Sequence, residues 1–275
     1  MRFVPLMKDA SGSEHTEIEY DPIYDPFNPA LIADPYPFYA RLRDEHPIYF
    51  NERMGFYALS RYDDIFHALR KPQIFSSARG LTPAEDEISQ LGIPPTFIMM
   101  DPPDHTRLRL LITTAFTPDT VKELEPSIRQ FVVEHVEAMK QKAADGEAVD
   151  LIEGIASPLP TMVVANILGV PPEDREHFDP WSDAITSASA DFSLDVQQAI
   201  GAVQGLVTYF GAMCQARRAN PTDDMISKLT QAEVEGDTLS DWDILGFCFV
   251  MIAGGNDTTT NLIGNAMRFL HDYPD

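Results

Sequence analysis

Cysteine is scarce in this sequence, and so are segments that would direct or anchor a protein to a membrane. The two cysteines, Cys214 and Cys248, lie in apolar, helix-like surroundings and outside Cys-x-x-Cys spacing, which predicts free thiols rather than a disulfide framework. Residues 1–20 lack the apolar stretch of a signal peptide. The apolar run at residues 244–253 is too short to span a bilayer. We therefore expect a cytoplasmic protein without a membrane anchor.

Positive charge is also scarce. The 275 residues include 20 lysines and arginines against 43 aspartates and glutamates, which gives a formal net charge of -23. Nucleic acids and anionic membranes bind surfaces on which lysine and arginine are clustered. The charge balance therefore argues against both classes of partner.

Several catalytic signatures are missing. The sequence has no Gly-x-x-x-x-Gly-Lys phosphate loop, no Gly-x-Gly-x-x-Gly and no Gly-x-Ser-x-Gly nucleophile turn. Its seven histidines form no His-Glu-x-x-His pair. Kinases, hydrolases of the serine type and zinc enzymes are therefore unsupported by any motif.

What the sequence does contain is mainly helix-forming. Short runs of apolar and aromatic residues predict strands at 48–51 and 56–59, around a turn at residues 53–55 that ends with Gly55. A long loop rich in glycine and proline is expected at 76–97, which is either functional or a surface excursion. We expect a mainly α protein with one domain over 1–275 and a small β hairpin near the N-terminus.

Helix signals follow one another along the rest of the chain, after an irregular arm at residues 1–25. Ser60 is the expected cap of the second helix, and Asp101 or Asp104 that of the third. The helices predicted from apolar periodicity and from start and stop residues cover residues 36–43, 62–69, 104–111, 119–144, 159–168, 173–190, 194–219, 224–231 and 240–271.

The last of these helices has an unusual centre. Ser240 can cap it, and its first half is apolar on every side, which indicates a buried helix. Gly254, Gly255, Asp257 and Thr258 then interrupt the apolar character. Two glycines inside a helix cost roughly 1 kcal/mol each relative to alanine, and a segment that breaks local rules in this way often serves function. The alternative is a kinked core helix whose polar groups are satisfied internally.

A histidine and an arginine four residues apart begin an earlier helix. His105 and Arg109 follow the two prolines of Asp101-Pro102-Pro103-Asp104 and share one helical face. Such a pair can bind an anion such as a carboxylate. Taken alone, a solvated charged face is the more frequent explanation of this pattern.

Together these two segments resemble one protein family. Residues 254–259, Gly-Gly-Asn-Asp-Thr-Thr, resemble the oxygen-binding helix of the cytochrome P-450 monooxygenases, and residues 101–109 look like the haem-propionate helix of the soluble bacterial members. The order of helices, strand pair and long loop also fits, from about Asp25 to Asp275. The resemblance implies a truncated cytochrome P-450 fold, which accounts for the histidine–arginine pair.

For the cofactor, the resemblance implies haem b, with O2 as co-substrate. His105 and Arg109 would bind the haem propionates. Gly254 and Gly255, together with Ala253, would lie against the haem and leave room for O2 above the iron.

For the reaction, the resemblance implies insertion of one oxygen atom of O2 into an apolar C–H bond. Thr258 would donate a hydrogen bond during O2 activation, Asp257 would relay protons, and Val250 and Ala253 would border the substrate pocket. The small apolar substrate would be covered by the loop 76–97 and by the joint near residues 187–193. Electrons would come from a ferredoxin or a flavoprotein.

Two family segments are missing. No arginine follows a glutamate by three residues, so the family's Glu-x-x-Arg is absent, and neither cysteine lies in the Phe-x-x-Gly-x-x-x-Cys-x-Gly loop that provides the iron ligand. We therefore interpret the sequence as the N-terminal two-thirds of such an enzyme, without a metal ligand in this chain and with the cysteine expected beyond Asp275. The alternatives are a non-catalytic fragment, a haem-free relative and a peroxide-using relative; the last is disfavoured by the acid–threonine pair.

Overall fold

The computed structural model describes residues 20–80, 96–116, 118–175, 180–181 and 196–274. They belong to two compact units that divide between Glu87 and Ile88. The prediction of a mainly α protein with a small β hairpin is confirmed, whereas the single domain over 1–275 stays a prediction. The arm at 1–25, the loop 76–97 and the joint at 187–193 lie wholly or largely outside the described residues.

The first unit is a small helical segment with one hairpin. The strands pair antiparallel, with Ile48 opposite Leu59 and Asn51 opposite Phe56, so the strand prediction is confirmed at every residue. Gly55 in the turn has φ +72°, a left-handed conformation that glycine adopts without strain. In chain order the elements are α1 (Pro29–Ala33), α2 (Tyr36–Glu45), β1 (Ile48–Asn51), β2 (Phe56–Leu59) and α3 (Tyr62–Leu69).

The predicted cap of α3 is wrong. Arg61 occupies the N-cap position and makes no side-chain capping bond. The Ser60 hydroxyl instead donates to the carbonyl of Pro47 at 3.4 Å, and the Ser60 amide donates to the same oxygen at 3.3 Å. The Ser60 hydroxyl therefore bonds at the end of the hairpin and does not cap α3.

The second unit contains the longer helices. The helix predicted at 119–144 is broken in two, because Pro126 lies at the start of the second piece and lacks the amide that a continuous helix requires. In chain order the elements are a 3₁₀ turn (Phe97–Met99), α4 (Asp104–Ala115), α5 (Pro118–Lys122), α6 (Glu125–Ala144), a π-helical turn (Ile152–Ala156), α7 (Pro158–Leu168), a second 3₁₀ turn (Pro172–Asp174), α8 (Val196–Ala219), α9 (Met225–Gln231), the short strands β3 (Glu233–Val234) and β4 (Asp237–Thr238), and α10 (Asp241–Asp272).

Helix α10 forms the centre of this unit. Its start is fixed by a capping box, in which the Asp243 amide donates to Ser240 Oγ at 3.2 Å and the Ser240 amide donates to Asp243 Oδ2 at 2.9 Å. The Ser240 cap is thus confirmed. The first half of α10 packs against α7, α8 and α9, which confirms its predicted burial. The buried residues of this core include Val164, Leu168, Leu206, Phe210, Ile226, Leu229, Ile244, Phe247, Phe249 and Ile252.

Length alone does not make α10 a membrane helix. It runs for 32 residues, but polar residues interrupt its apolar character from Asn256 to Asn261. Within the described parts of the chain, no helix combines the length and the apolar character needed to cross a membrane.

Candidate functional site

One face of α10 carries a stripe of polar and small residues. Gly254, Asp257, Thr258 and Asn261 follow the i, i+3, i+4, i+7 spacing that places side chains on a common helical face. All four are exposed, whereas Ile252 and Asn256 on the other side of the helix are buried. The stripe is therefore the one side of this part of α10 that the described residues leave accessible.

The exposure of the stripe contrasts with the burial of the first half of α10. The neighbours of α10 are α7, α8, α9, the π-helical turn and the first 3₁₀ turn, and they cover the side on which Ile252 and Asn256 lie. A helix of 3.6 residues per turn cannot present all its residues to one set of neighbours. The predicted catalytic residues Asp257 and Thr258 therefore face away from the packed side.

Hydrogen bonds within α10 fix the side chains of the stripe. Thr258 Oγ1 donates to the Gly254 carbonyl at 2.8 Å, which is the back-bonding that threonine makes in helices. Asn261 Nδ2 donates to Asp257 Oδ1 at 2.9 Å. Thr258 thus holds its hydroxyl against its own helix, and one oxygen of Asp257 has a fixed donor while the other remains available.

The two glycines of the predicted oxygen-binding segment differ in their surroundings. A methyl group added at Gly254 would meet nothing within 4 Å, whereas one added at Gly255 would lie 2.8 Å from Cγ2 of Val164 in α7. Gly254 therefore leaves open space on the stripe. Gly255 lets α7 and α10 approach closely, a packing role beside the predicted one.

This difference gives a matched pair of variants. Gly255→Ala should lower the free energy of unfolding by about 1–3 kcal/mol, because the branched side chain of Val164 must shift to admit the methyl group. Gly254→Ala should raise it by up to about 1 kcal/mol through helix propensity. Reversible denaturation by urea measures both. Equal effects of the two substitutions would contradict this assignment.

The residues predicted to border the substrate pocket flank the stripe. Val250 lies one turn before Gly254 and is half-buried, and Ala253 is half-buried against the hydrophobic core. Val250 thus continues the stripe toward the apolar half of α10. Their role at a substrate pocket stays a prediction.

His105 reaches α10 through an aromatic contact. Its ring stacks on that of Phe97, with centroids 6.3 Å apart and planes inclined by 23°. Phe97 begins the 3₁₀ turn that packs against both α4 and α10. The predicted cofactor-binding helix and the predicted oxygen-binding helix are therefore linked by one short segment.

The two arginines of α4 are used differently. Arg107 donates to both carboxylate oxygens of Asp237 at 3.2 and 3.0 Å, and this hydrogen bond raises the pKa of the guanidinium. Arg109 is exposed, and its guanidinium makes no hydrogen bond or ion pair to any residue the structure describes. Among the described residues Arg109 is therefore available to an anionic group, and its role at the haem propionates stays a prediction.

The predicted cap of α4 is wrong. Pro103, rather than Asp101 or Asp104, occupies the N-cap position, and it makes no side-chain capping bond. Asp104 already lies in the first turn, where a carboxylate favours the helix N-terminus electrostatically without accepting a capping bond.

Neither cysteine suits an iron ligand. Cys214 and Cys248 are fully buried free thiols in α8 and α10. Burial raises the pKa of Cys214 to about 12 and that of Cys248 well above its usual value, whereas a metal ligand must be a thiolate. The described residues also hold no cluster of three or more histidine, cysteine or acidic side chains arranged for a metal ion.

Two polar contacts of α10 were not anticipated from the sequence. Asn261, the donor to Asp257, follows it by four residues, and that spacing would have indicated the contact. Thr260 Oγ1 donates to the carbonyl of Ala156, at the end of the π-helical turn, at 3.1 Å. This second contact joins residues far apart in the sequence, so no local spacing indicates it.

Comparison with known proteins places the site in a family context. The sequence model described as Cytochrome P450 matches residues 38–275. "Cytochrome P450 130" of Mycobacterium tuberculosis is 41% identical over 251 residues, which cover 88% of this chain and 61% of that protein. "Erythromycin C-12 hydroxylase" of Saccharopolyspora erythraea is 35% identical over 242 residues, which cover 85% of this chain and 57% of the relative.

A solved structure agrees with these sequence matches. Cytochrome P450 CYP109Q5 from Chondromyces apiculatus superimposes with a TM-score of 0.78 at 34% identity, over 91% of this chain and 62% of that one. The chain spans about three fifths of the length of the curated relatives it matches.

Proposed function

The chain belongs to the cytochrome P450 family, and from that premise we propose that it supplies the oxygen-activating and cofactor-holding part of a haem-dependent monooxygenase. The reaction is insertion of one oxygen atom of O2 into an apolar organic substrate. The observation that carries the proposal is the exposed stripe of α10, on which Asp257 and Thr258 lie beside the open space at Gly254.

The cofactor in this proposal is haem b, and the described residues fit it. Its propionates are carboxylates, and charge-assisted hydrogen bonds to arginine and histidine are the interactions that bind such groups well. Arg109 offers an exposed guanidinium on the same helical face as His105, while Arg107 is already paired with Asp237. In this proposal the axial thiolate comes from residues beyond Asp275, because both cysteines of this chain are buried and burial raises the pKa of each.

When bound, the haem supplies the redox chemistry of O2, and the protein supplies placement and protons. Thr258 holds its hydroxyl on the stripe by donating to the Gly254 carbonyl, and it would leave that carbonyl to act as a hydrogen-bond donor and proton carrier, because a hydroxyl has one proton to donate. Asp257 is held through Oδ1 by Asn261, which leaves Oδ2 to exchange protons with solvent. Val250 and Ala253 present apolar surface to the substrate beside these groups.

We extend the proposal to the partners. The substrate is a small apolar molecule, in keeping with the apolar half of α10 next to the stripe, and hydroxylation is the reaction in the name of one relative. The electron donor is a ferredoxin or a flavoprotein. A second candidate function, a non-catalytic haem-free relative, is favoured by one observation, the absence of a usable thiolate among the two cysteines.

The test of this function uses the natural protein that contains this chain, purified with haem. We expect the reduced carbon monoxide difference spectrum typical of thiolate-bound haem, together with hydroxylated product when an electron donor and apolar substrates are supplied. A natural protein that retains no haem, shows no such spectrum and forms no product would favour the second candidate.

Arg109 gives a sharper test of the cofactor site. Arg109→Ala should weaken haem binding by about 10- to 100-fold, because a hydrogen bond to a charged group contributes about 1.5–3 kcal/mol. The matched control is Arg107→Ala, which removes the neighbouring arginine that is paired with Asp237 and should leave haem affinity nearly unchanged. The measurement is haem transfer to an apoprotein acceptor. Equal haem loss in both variants would show that Arg109 does not hold the cofactor.

A further inference from the structure

The carbonyl of Ala156 lies in a place where the local chain cannot supply its usual hydrogen bond. In an α-helix the carbonyl of Ala156 would accept from the amide of residue 160, but residue 160 is proline and has no N–H. Ala156 has an exposed fraction of 0%. A buried carbonyl without a donor is unfavourable, so a donor from elsewhere in the fold is needed.

Thr260 supplies that donor from α10. Its Oγ1 lies 3.1 Å from the Ala156 carbonyl oxygen. The neighbouring threonines behave differently, because Thr258 donates to Gly254 and Thr259 donates to Gly255 within their own helix. Thr260 is therefore the member of the threonine run that ties α10 to another element.

Two glycines let neighbouring elements approach α10 closely. A methyl group at Gly255 would lie 2.8 Å from Val164 Cγ2, and one at Gly264 would lie 2.8 Å from Ile152 Cδ1. Thr260 lies between them in the sequence. The apolar contacts at the two glycines resist translation of α10 toward α7 and the π-helical turn, whereas the directional bond at Thr260 resists rotation about the helix axis.

Rotation of α10 is the motion that matters for the stripe. Because side chains are fixed around the helix axis, any rotation that moves Thr260 away from Ala156 turns Asp257 and Thr258 by the same angle. We propose that Thr260 is a positioning residue, which holds Asp257 and Thr258 in their productive orientation through its hydrogen bond to Ala156. This inference rests on the proposed monooxygenase function and goes beyond it.

The test uses the haem-loaded natural protein with Thr260→Val, which keeps the shape and removes the hydroxyl, and Thr260→Ser, which keeps the hydroxyl. The valine variant should lose coupling, measured as product formed per electron donor oxidised, by about tenfold, since small misplacements of reacting groups have effects of this size. The serine variant should restore most of it. Thr208→Val is the control, because Thr208 is exposed and donates to Gln204 in its own helix.

A second substitution distinguishes two roles of Thr260: positioning α10, and supplying a hydrogen-bond donor to the Ala156 carbonyl. Pro160→Ala places an amide in α7 that can donate to Ala156, but it does not tie α10. Combined with Thr260→Val, it should restore the thermal unfolding midpoint while coupling stays low. Recovery of coupling as well would overturn the positioning role.

Amide hydrogen exchange provides a readout that does not depend on turnover. In Thr260→Val, residues 257–261 should exchange about two- to tenfold faster, as expected for one lost hydrogen bond. Unchanged exchange in Thr260→Val overturns the positioning role alone. Unchanged coupling in that variant does the same, when the wild-type protein forms product. A wild-type protein that forms no product overturns the proposed function and this inference together.

Discussion

Replacing Asp224 by alanine should lower the free energy of unfolding by about 3 kcal/mol, because it removes a helix cap and leaves a mostly buried arginine without its partner. Asp224 Oδ1 accepts from the Ser227 amide at 2.8 Å and caps α9. Its Oδ2 accepts from Arg217 Nε at 2.5 Å and from Thr222 Oγ1 at 2.8 Å. The side chains of Asp224 and Arg217 are only 10% and 21% exposed.

Asp224 also lies at the end of another helix. Gly169 follows α7 with φ +78°, and a methyl group there would lie 2.5 Å from Cβ of Asp224. The Asp224 carboxylate therefore joins α8 and α9, and its side chain lies close to the end of α7. This is why a single substitution outside the stripe should have an effect as large as that of a core deletion.

Two further variants divide the effect into its parts. Asp224→Asn keeps a capping oxygen but loses the charge, so it should cost about 1–2 kcal/mol. The control is Asp223→Ala, because the adjacent aspartate is 96% exposed and pairs with Lys228 only at 3.7 Å; it should change stability by less than about 0.5 kcal/mol. Urea denaturation gives all three values, and an Asp224→Ala variant as stable as Asp223→Ala would refute the assignment.

The stability that depends on the Asp224 charge should vary with pH. Burial tends to raise the pKa of Asp224, but hydrogen bonds from Ser227, Arg217 and Thr222 outweigh it and leave the pKa below its usual value. The folded state therefore holds this proton less tightly than the unfolded state, whose pKa is about 3.9. The difference between wild type and Asp224→Asn should be constant above that pH and should shrink as the pH falls through the lowered pKa.

Local features of the fold were predictable from the sequence. The sequence predicts the bounds of both hairpin strands, because two short apolar and aromatic runs flank a turn that contains glycine. The start of α10 was also assigned correctly, because Ser240 and Asp243 form a capping box with no competing partner. In both cases the residues that decide the structure are neighbours in the chain.

Most features that the sequence does not predict depend on tertiary contacts. The Ser60 hydroxyl turned to Pro47, which the hairpin brings close, and α4 begins without the predicted aspartate cap. The close approach of Val164 to Gly255 depends on the path of α7, which a one-dimensional pattern does not contain. The same holds for Thr260, whose partner carbonyl is 104 positions away.

The candidate site was predictable in its residue types but not in its arrangement. Asp257, Thr258, His105 and Arg109 were all selected from two motifs, and their roles stay predictions. The structure adds which groups are already paired. Asn261 donates to Asp257, and Arg107 donates to Asp237, whereas Arg109 has no such partner among the described residues. The spacing of four residues could have indicated the first pair, whereas Arg107 and Asp237 are 130 positions apart, so their pairing follows only from the fold.

In the haem-loaded protein, Thr258→Ala should separate oxygen consumption from product formation. Alanine is the better helix former, so the fold should persist, and electron uptake does not need the hydroxyl. Loss of the donor should lower product formed per electron on the order of tenfold, the value of one hydrogen bond to a charged group, with hydrogen peroxide released instead. Thr258→Ser, which keeps the donor, is the control.

Asp257→Asn should lower the turnover rate rather than the ratio of hydroxylated product to hydrogen peroxide. Asparagine keeps the shape of the side chain and an oxygen that can accept from Asn261, but it cannot carry a proton. Turnover should therefore slow by about 10²- to 10⁴-fold, the usual effect of losing a positioned acid–base group, while haem content and the unfolding midpoint stay near those of the wild type. The measurements are product, peroxide and electron donor consumed in the same assay. Full coupling in Thr258→Ala with a true substrate would show that Thr258 only bends the helix. An undiminished turnover rate in Asp257→Asn would show that its carboxylate is not part of the proton path.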